Sequence, residues 1–466
     1  MNGQPSIGVP PLAGLATYEE AAKPGLAVDE NVKLLRRCNF LESCLYRMCA
    51  AFINSTPEWE VKQALSFHLY LDGEHSQSLR QRVAELRKPP LYLDKCPDSR
   101  LESLINEALR SSNTIELLVA FFGVLRPALI AAYEHQLELT NPIFDYPTCR
   151  ILRTIVAEER QMVEWGTEAL RGLIRTEEDR KAADDWELHL RAYLVHAGTV
   201  SGLEPAPEPS TEIPQPRANS SFVPDLDPKR DWRSKEIYNF QYRANDVYLD
   251  DVASWDERAL ALMFKRVHEM DVPEVMAGII VQTPNRPWEY YRDMGRQLWD
   301  EARHAMMGEV WFTKIGFDWS RYPNHVGWSM HLNLDRTPLE RHIILYFIEQ
   351  SLMDGKTGKR LEWKIAQSAG DPLATYFQDY DWADEVLHAQ IGRRWLKPEV
   401  GDVKNLLARA KEIAERPSPS LESKTESTPQ RDWWPEFVEA ALGRPSTAGA
   451  SADNRIIPKF KSMESG

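Results

Sequence analysis

Glu301-Ala302-Arg303-His304 and Glu385-Val386-Leu387-His388 are two Glu-x-x-His tetrads set 84 residues apart. Both lie in stretches whose apolar residues recur at helical spacing, so each carboxylate and its imidazole share a helix face about one turn apart. Two such helices, packed against two more that each bring an inward glutamate, form a cage for two metal ions. With 42 glutamates and 11 histidines in 466 residues, about one such tetrad arises by chance. The weight therefore falls on what surrounds the pair.

Helical patterning dominates the chain. Segments rich in Leu, Ala, Glu, Arg and Met with apolar spacing near 3.6 cover residues 32–53, 58–86, 101–137 and 151–170, then 255–270, 273–281, 288–315, 339–352 and 373–396. Runs of β-branched residues are few, and the fold class expected is all-α. Residues 204–217 carry proline at 205, 207, 209, 214 and 216, which excludes helix and inner strand and reads as a stiff, extended spacer. The expected organisation is a flexible arm at 1–28, a helical bundle at 29–200, a Pro-rich linker at 201–235, a second bundle at 236–412, and a C-terminal extension at 413–466 that is largely disordered.

An internal repeat supports two bundles. Trp59-Glu60 precedes the acid-x-x-His Asp72-Gly73-Glu74-His75 by 13 residues, and Trp288-Glu289 precedes Glu301 by the same interval. Further on, Ala157-Glu158-Glu159 through Gly166 aligns with Ala383-Asp384-Glu385 through Gly392. In this register Glu42 pairs with Glu274 and Glu116 with Glu349. The repeating unit reads as four helices carrying Glu, Glu-x-x-His, Glu and Glu-x-x-His.

On these residues the sequence resembles the ferritin-like di-iron carboxylate superfamily over about residues 255–400, with a degenerate copy at about 30–170. The resemblance implies two tandem ferritin-like four-helix bundles joined by the Pro-rich linker. It also implies a metal set of Glu274, Glu301, His304, Glu349, Glu385 and His388. Two Fe ions (or an Fe/Mn pair) with O2 as cosubstrate would make the protein an oxygenase or oxidase of an unidentified small organic molecule. The alternative is a non-catalytic ferritin-like protein that binds metal or a partner.

The residues support the cage independently. Glu349 closes the run Ile343-Ile344-Leu345-Tyr346-Phe347-Ile348, so its carboxylate faces the core, where an uncompensated charge costs several kcal/mol. Carboxylates with imidazoles suit iron or manganese, whereas structural zinc favours thiolates. The plainer readings are a solvated charged face for Glu301, beside Asp300 and Arg303, and core packing for His304 and His388. Glu274 follows Pro273 at a helix start, where the dipole favours an acid; Glu269 is the other candidate. Asp381 and Asp384 are candidates to hold a ligand imidazole. The first half departs from the pattern: it offers Glu42, Asp72, His75, Glu116 and Glu159, but Met162 takes the place of the second histidine. That half is expected to be scaffold, with its metal binding open. Trp299, Tyr346, Tyr380 and Trp382 read as packing, with electron relay as the sharper alternative.

The net charge of −14 argues against a nucleic-acid partner. The sequence suggests no membrane-spanning run and no leader at Met1, so the cytoplasm is the expected compartment. Cys38, Cys44, Cys49, Cys96 and Cys149 lack metal or redox spacing and read as reduced core thiols. A homodimer and an electron-donor protein are compatible partners.

Overall fold

The computed structural model describes residues 8–89, 93–204, 214–241, 243–356 and 358–449, and among these the regular secondary structure is helical throughout. The chain forms two compact units, one of Met1–Met48 with Leu71–Val223, the other of Cys49–Tyr70 with Pro224–Gly466. The boundary near residue 223 falls in the expected linker region. The second unit also takes residues 49–70, which the sequence reading had placed with the first bundle.

In the first unit the helices are α1 (Val28–Ile53, up to Met48), α2 (Trp59–Glu85, from Leu71), α3 (Ser99–Ala108), α4 (Thr114–Leu139), α5 (Tyr146–Leu173) and α6 (Glu177–His196). The single segment expected at 101–137 is two helices. Asn113 accepts from the N–H of Glu116 and starts α4 afresh. A π-helical stretch, Val119–Leu125, interrupts α4 just before Arg126. By length and composition α4 could cross a membrane, contrary to the expectation that no run does, but 67% of its most apolar window is buried within the protein. A core helix meets the same criterion.

The second unit contains the end of α1, the start of α2, and then α7 (Trp255–His268), α8 (Asp271–Gln282), α9 (Trp288–Lys314), α10 (Gly327–Asp335), α11 (Pro338–Ser351), α12 (Lys359–Ser368), α13 (Pro372–Val400), α14 (Val403–Glu415), α15 (Pro419–Ser427) and α16 (Trp434–Leu442). Local signals set the ends of the helices that matter most. Thr337 and Glu340 form a capping box around Pro338 at the start of α11, and Asp371 accepts from the N–H groups of Leu373 and Ala374 at the start of α13. Helix α9 packs on α7, α8 and α13, and α13 also packs on α11 and α12. Trp59 belongs to this unit's core, together with Phe264, Phe312 and Trp433. That burial explains why residues 49–70 belong here.

Three other expectations need correction. Residues 413–449 are not largely disordered: α15 and α16 lie there, and Trp433, Trp434 and Phe437 are fully buried in the core. Polar, Pro-rich flanks hid that aromatic anchor from a composition reading. The N-terminal arm carries a turn at Tyr18–Ala21 with a Thr17–Glu20 capping box, and Asn141 Nδ2 donates to the carbonyls of Ala21 and Lys23. Cys96 is exposed, whereas Cys38, Cys49 and Cys149 are buried. Residues 1–7, 205–213 (most of the Pro-rich stretch) and 450–466 lie outside the described residues.

Candidate metal centre

Two groups of ligating atoms meet in the second unit, Glu301–Glu349–Glu385–His388 and Glu269–His304–Asp381, each with its atoms within 4.8 Å of one another. Five of the six expected ligands fall in these groups. Glu301 connects them, with Oε1 3.1 Å from His388 Nδ1 and Oε2 3.4 Å from His304 Nδ1. Glu301 and His304 project from α9, Glu385 and His388 from α13, and Glu349 from the last turn of α11.

Glu274 is the exception. Its carboxylate is fully buried but turns onto Lys62 Nζ at 2.7 Å, Ser329 Oγ at 2.8 Å and the Arg230 guanidinium. Burial pushes its pKa up, and Arg230 and Lys62 outweigh that and hold it below the usual value. Two cations thus supply the neutralisation that a metal would have given. Glu269, which follows the last residue of α7, stands 3.6 Å from His304 Nδ1 and fills the place assigned to Glu274. Helix α7 ends toward the imidazole, whereas the start of α8 faces Lys62, and spacing alone cannot distinguish the two.

Each imidazole is held by an aspartate from the other tetrad's helix. His304 Nε2 lies 3.2 Å from Asp384 Oδ2, and His388 Nε2 lies 3.4 Å from Asp300 Oδ2. A carboxylate on Nε2 favours a proton there and fixes the ring with Nδ1 inward, where it can ligate once deprotonated. Asp384 was a sequence candidate; Asp300 was read only as part of a charged face. The signal was present, since an aspartate precedes the glutamate of both tetrads. Asp381 serves differently, as a member of the second ligand group.

The site's charge balance explains the proton positions. Burial, then Glu385, pushes Glu349 well above the carboxylate range, so it holds a proton. Burial and Glu385 also push Glu301 up, but the two imidazoles beside it leave it lowered. Burial raises Glu385 too, and Lys359 with Glu349 holds it well below its usual value. Burial depresses His304, yet Asp381, Asp384 and Glu301 lift it to about 10; Asp300, Glu301 and Glu385 likewise raise His388. Gln297, one turn before Glu301, donates to Glu349 Oε1 at 3.1 Å.

The donor set fits a divalent cation. Glu301, Glu349 and Glu385 are each 2% exposed, and both imidazoles are fully buried. Even so, His304 Nδ1, His388 Nδ1 and Glu385 Oε2 have no hydrogen-bond partner among the described residues. Glu269 Oε2 is a fourth such atom; buried polar atoms are normally satisfied, and an ion is one of the few things that accounts for four orphans within the two groups.

The first unit holds a related cluster, Glu42, Asp72, His75 and Glu159. Here Arg126 bridges Asp72 (2.8 and 2.9 Å) and Glu159 (2.8 Å), while Tyr133 donates to Glu42 at 2.7 Å. Glu116, expected in this set, is instead held by Arg217 and Ser112 at the start of α4. It is the third residue of the helix, where a backbone N–H, a hydroxyl and a guanidinium capture it. Met162 is buried on α5.

No family model, curated protein or solved structure matches this chain.

Proposed function

We propose that this chain is an O2-dependent metal oxidoreductase, an oxygenase or oxidase of a small organic substrate, built on tandem ferritin-like bundles of which the first has lost its site. The observation that carries this reading is the set of orphaned buried ligand atoms, His304 Nδ1, His388 Nδ1 and Glu385 Oε2, converging on Glu301. Hard carboxylate donors with imidazole suit iron or manganese. Bound there, such an ion would supply the electrons that reduce O2.

The protein's own residues do the rest. Asp300 and Asp384 fix the tautomer and direction of the imidazoles, and Gln297 orients Glu349. Near-complete burial keeps bulk water from the ligands. The Glu349 carboxyl holds a proton in the metal-free cage and would release it on ligation.

A second reading, a metal-binding protein without turnover or one that serves a partner, is favoured by the closed surroundings. The surface concavities lined by Gln390, Arg393 and Lys397 and by Glu340, Arg409 and Arg416 include no cage residue. Oxygen uptake decides between them. Protein loaded with Fe(II) under anaerobic conditions should consume O2 on exposure, and Glu349→Ala should not. Bound metal without O2 consumption would leave the second reading.

A further inference from the structure

Lys359 opens α12 with its side chain wholly buried, and its Nζ is directed into the cage. It lies 2.8 Å from both oxygens of Asp381 and 2.8 Å from Glu385 Oε1. Arg266, also fully buried, ion-pairs with Asp381 and lies 2.7 Å from Glu269 Oε2. Both carboxylates of the Glu269–His304–Asp381 group therefore already face fixed positive charge. In the other group, Glu301 and Glu349 meet no lysine or arginine among the described residues, so the fixed positive charge there reaches Glu385 alone.

The first unit carries the same device. Arg126 follows Glu116 by ten residues, as Lys359 follows Glu349. Each cation is the first residue of a helical segment, each is fully buried, and each contacts the equivalent glutamate, Glu159 or Glu385. The guanidinium also reaches Asp72, the counterpart of Glu301, and so bridges two of the cluster's three carboxylates. The ammonium stops at Glu385 and Asp381 and leaves Glu301 clear.

We propose that Lys359 stands in for one of two metals, so that the second unit binds a single divalent cation through Glu301, Glu349, Glu385 and His388, and the first unit, closed by Arg126, binds none. This rests on the metal-centre reading above. A second dication among Glu269, His304 and Asp381 would sit against an ammonium and a guanidinium in a buried site, where like charges repel most strongly. Three carboxylates and one imidazole are a sufficient donor set for Mn(II) or Fe(II).

The test is to strip the full-length protein with chelator, load it with Mn(II), remove free ion by gel filtration, and record metal content and the electron paramagnetic resonance spectrum. Wild type should hold one Mn per chain with the six-line spectrum of an isolated ion. Lys359→Met should hold two, with a spin-coupled spectrum, and Lys359→Arg should return to one. Two ions in wild type, one in Lys359→Met, or two in Lys359→Arg would each overturn the proposal while sparing the metal centre. No bound ion in wild type would overturn the metal centre itself, and this inference with it. The wild-type count and spectrum decide the matter even if the methionine variant does not fold.

Discussion

Asp384 of α13 accepts from the imidazole of His304 on α9, Oδ2 to Nε2 3.2 Å, and Asp300 of α9 returns the contact to His388 of α13 at 3.4 Å. The two tetrad helices thus hold each other's imidazole. Each aspartate is itself anchored: Arg296 Nε lies 2.8 Å from Asp300 Oδ2, and Arg303 Nη2 lies 2.8 Å from Asp384 Oδ2. Partners of this kind orient a ligand without touching the metal.

Asp300→Asn should therefore weaken Mn(II) binding by about 10–100-fold without changing how many ions bind. Titration calorimetry measures both quantities. An unchanged affinity would mean that the His388 contact has no orienting role.

Metal uptake should release protons. In the metal-free protein the carboxylates around His388 raise it well above the usual imidazole value, and burial with Glu385 keeps Glu349 protonated. Ligation needs the deprotonated forms, so affinity should rise with pH between 6 and 9. Calorimetry in buffers of differing ionisation heat counts the protons, and uptake without proton release would contradict the assignment.

Glu274→Gln should leave the metal count as in wild type but destabilise the second unit by about 3–5 kcal/mol, because Lys62 and Arg230 would keep buried charge without their acid. Urea unfolding and metal analysis on one preparation separate this structural role from ligation.

Gly392→Ala should cost about 1–3 kcal/mol by overpacking. A Cβ at Gly392 would come within 2.5 Å of the Tyr346 ring on α11, the helix that carries Glu349. Gly166 meets Phe122 in the same way in the first unit. A melting temperature equal to wild type would show that Tyr346 can move aside.

Acid should destabilise the second unit through buried neutral histidines. Burial, then Arg286, lowers His342 to about 4, and burial likewise takes His268 to about 4. The unfolded chain takes up a proton near 6.5, whereas the native one resists until about 4, so stability is lost as pH falls between those values. His342→Phe should remove about 2 kcal/mol of the loss between pH 7.5 and 5. Urea midpoints across that range test it.

Much of the site was legible in the chain because helical periodicity is a local property. A three-residue offset places Glu301 with His304 and Glu385 with His388 whatever the helices pack against, and the apolar run before Glu349 turns that acid inward. The repeat register likewise located Glu42, Asp72, His75 and Glu159. Glu274 and Glu116 defeated the reading for a common reason. Both stand in the first turn of a helix and are fully or almost fully buried, and each is neutralised by an arginine distant in sequence, Arg230 or Arg217.

The sequence by itself determined the all-helical class and the faces on which five of the candidate ligand residues lie, since these follow from residue spacing along one helix. Only the tertiary structure decided which charges meet. Glu269 in place of Glu274, Asp300 against His388, Lys359 on Glu385 and Arg126 across Asp72 and Glu159 are contacts between segments far apart in the chain. A buried carboxylate must find a counter-charge, but whether a lysine, an arginine or a metal provides it depends on how the helices pack, and no local pattern encodes that.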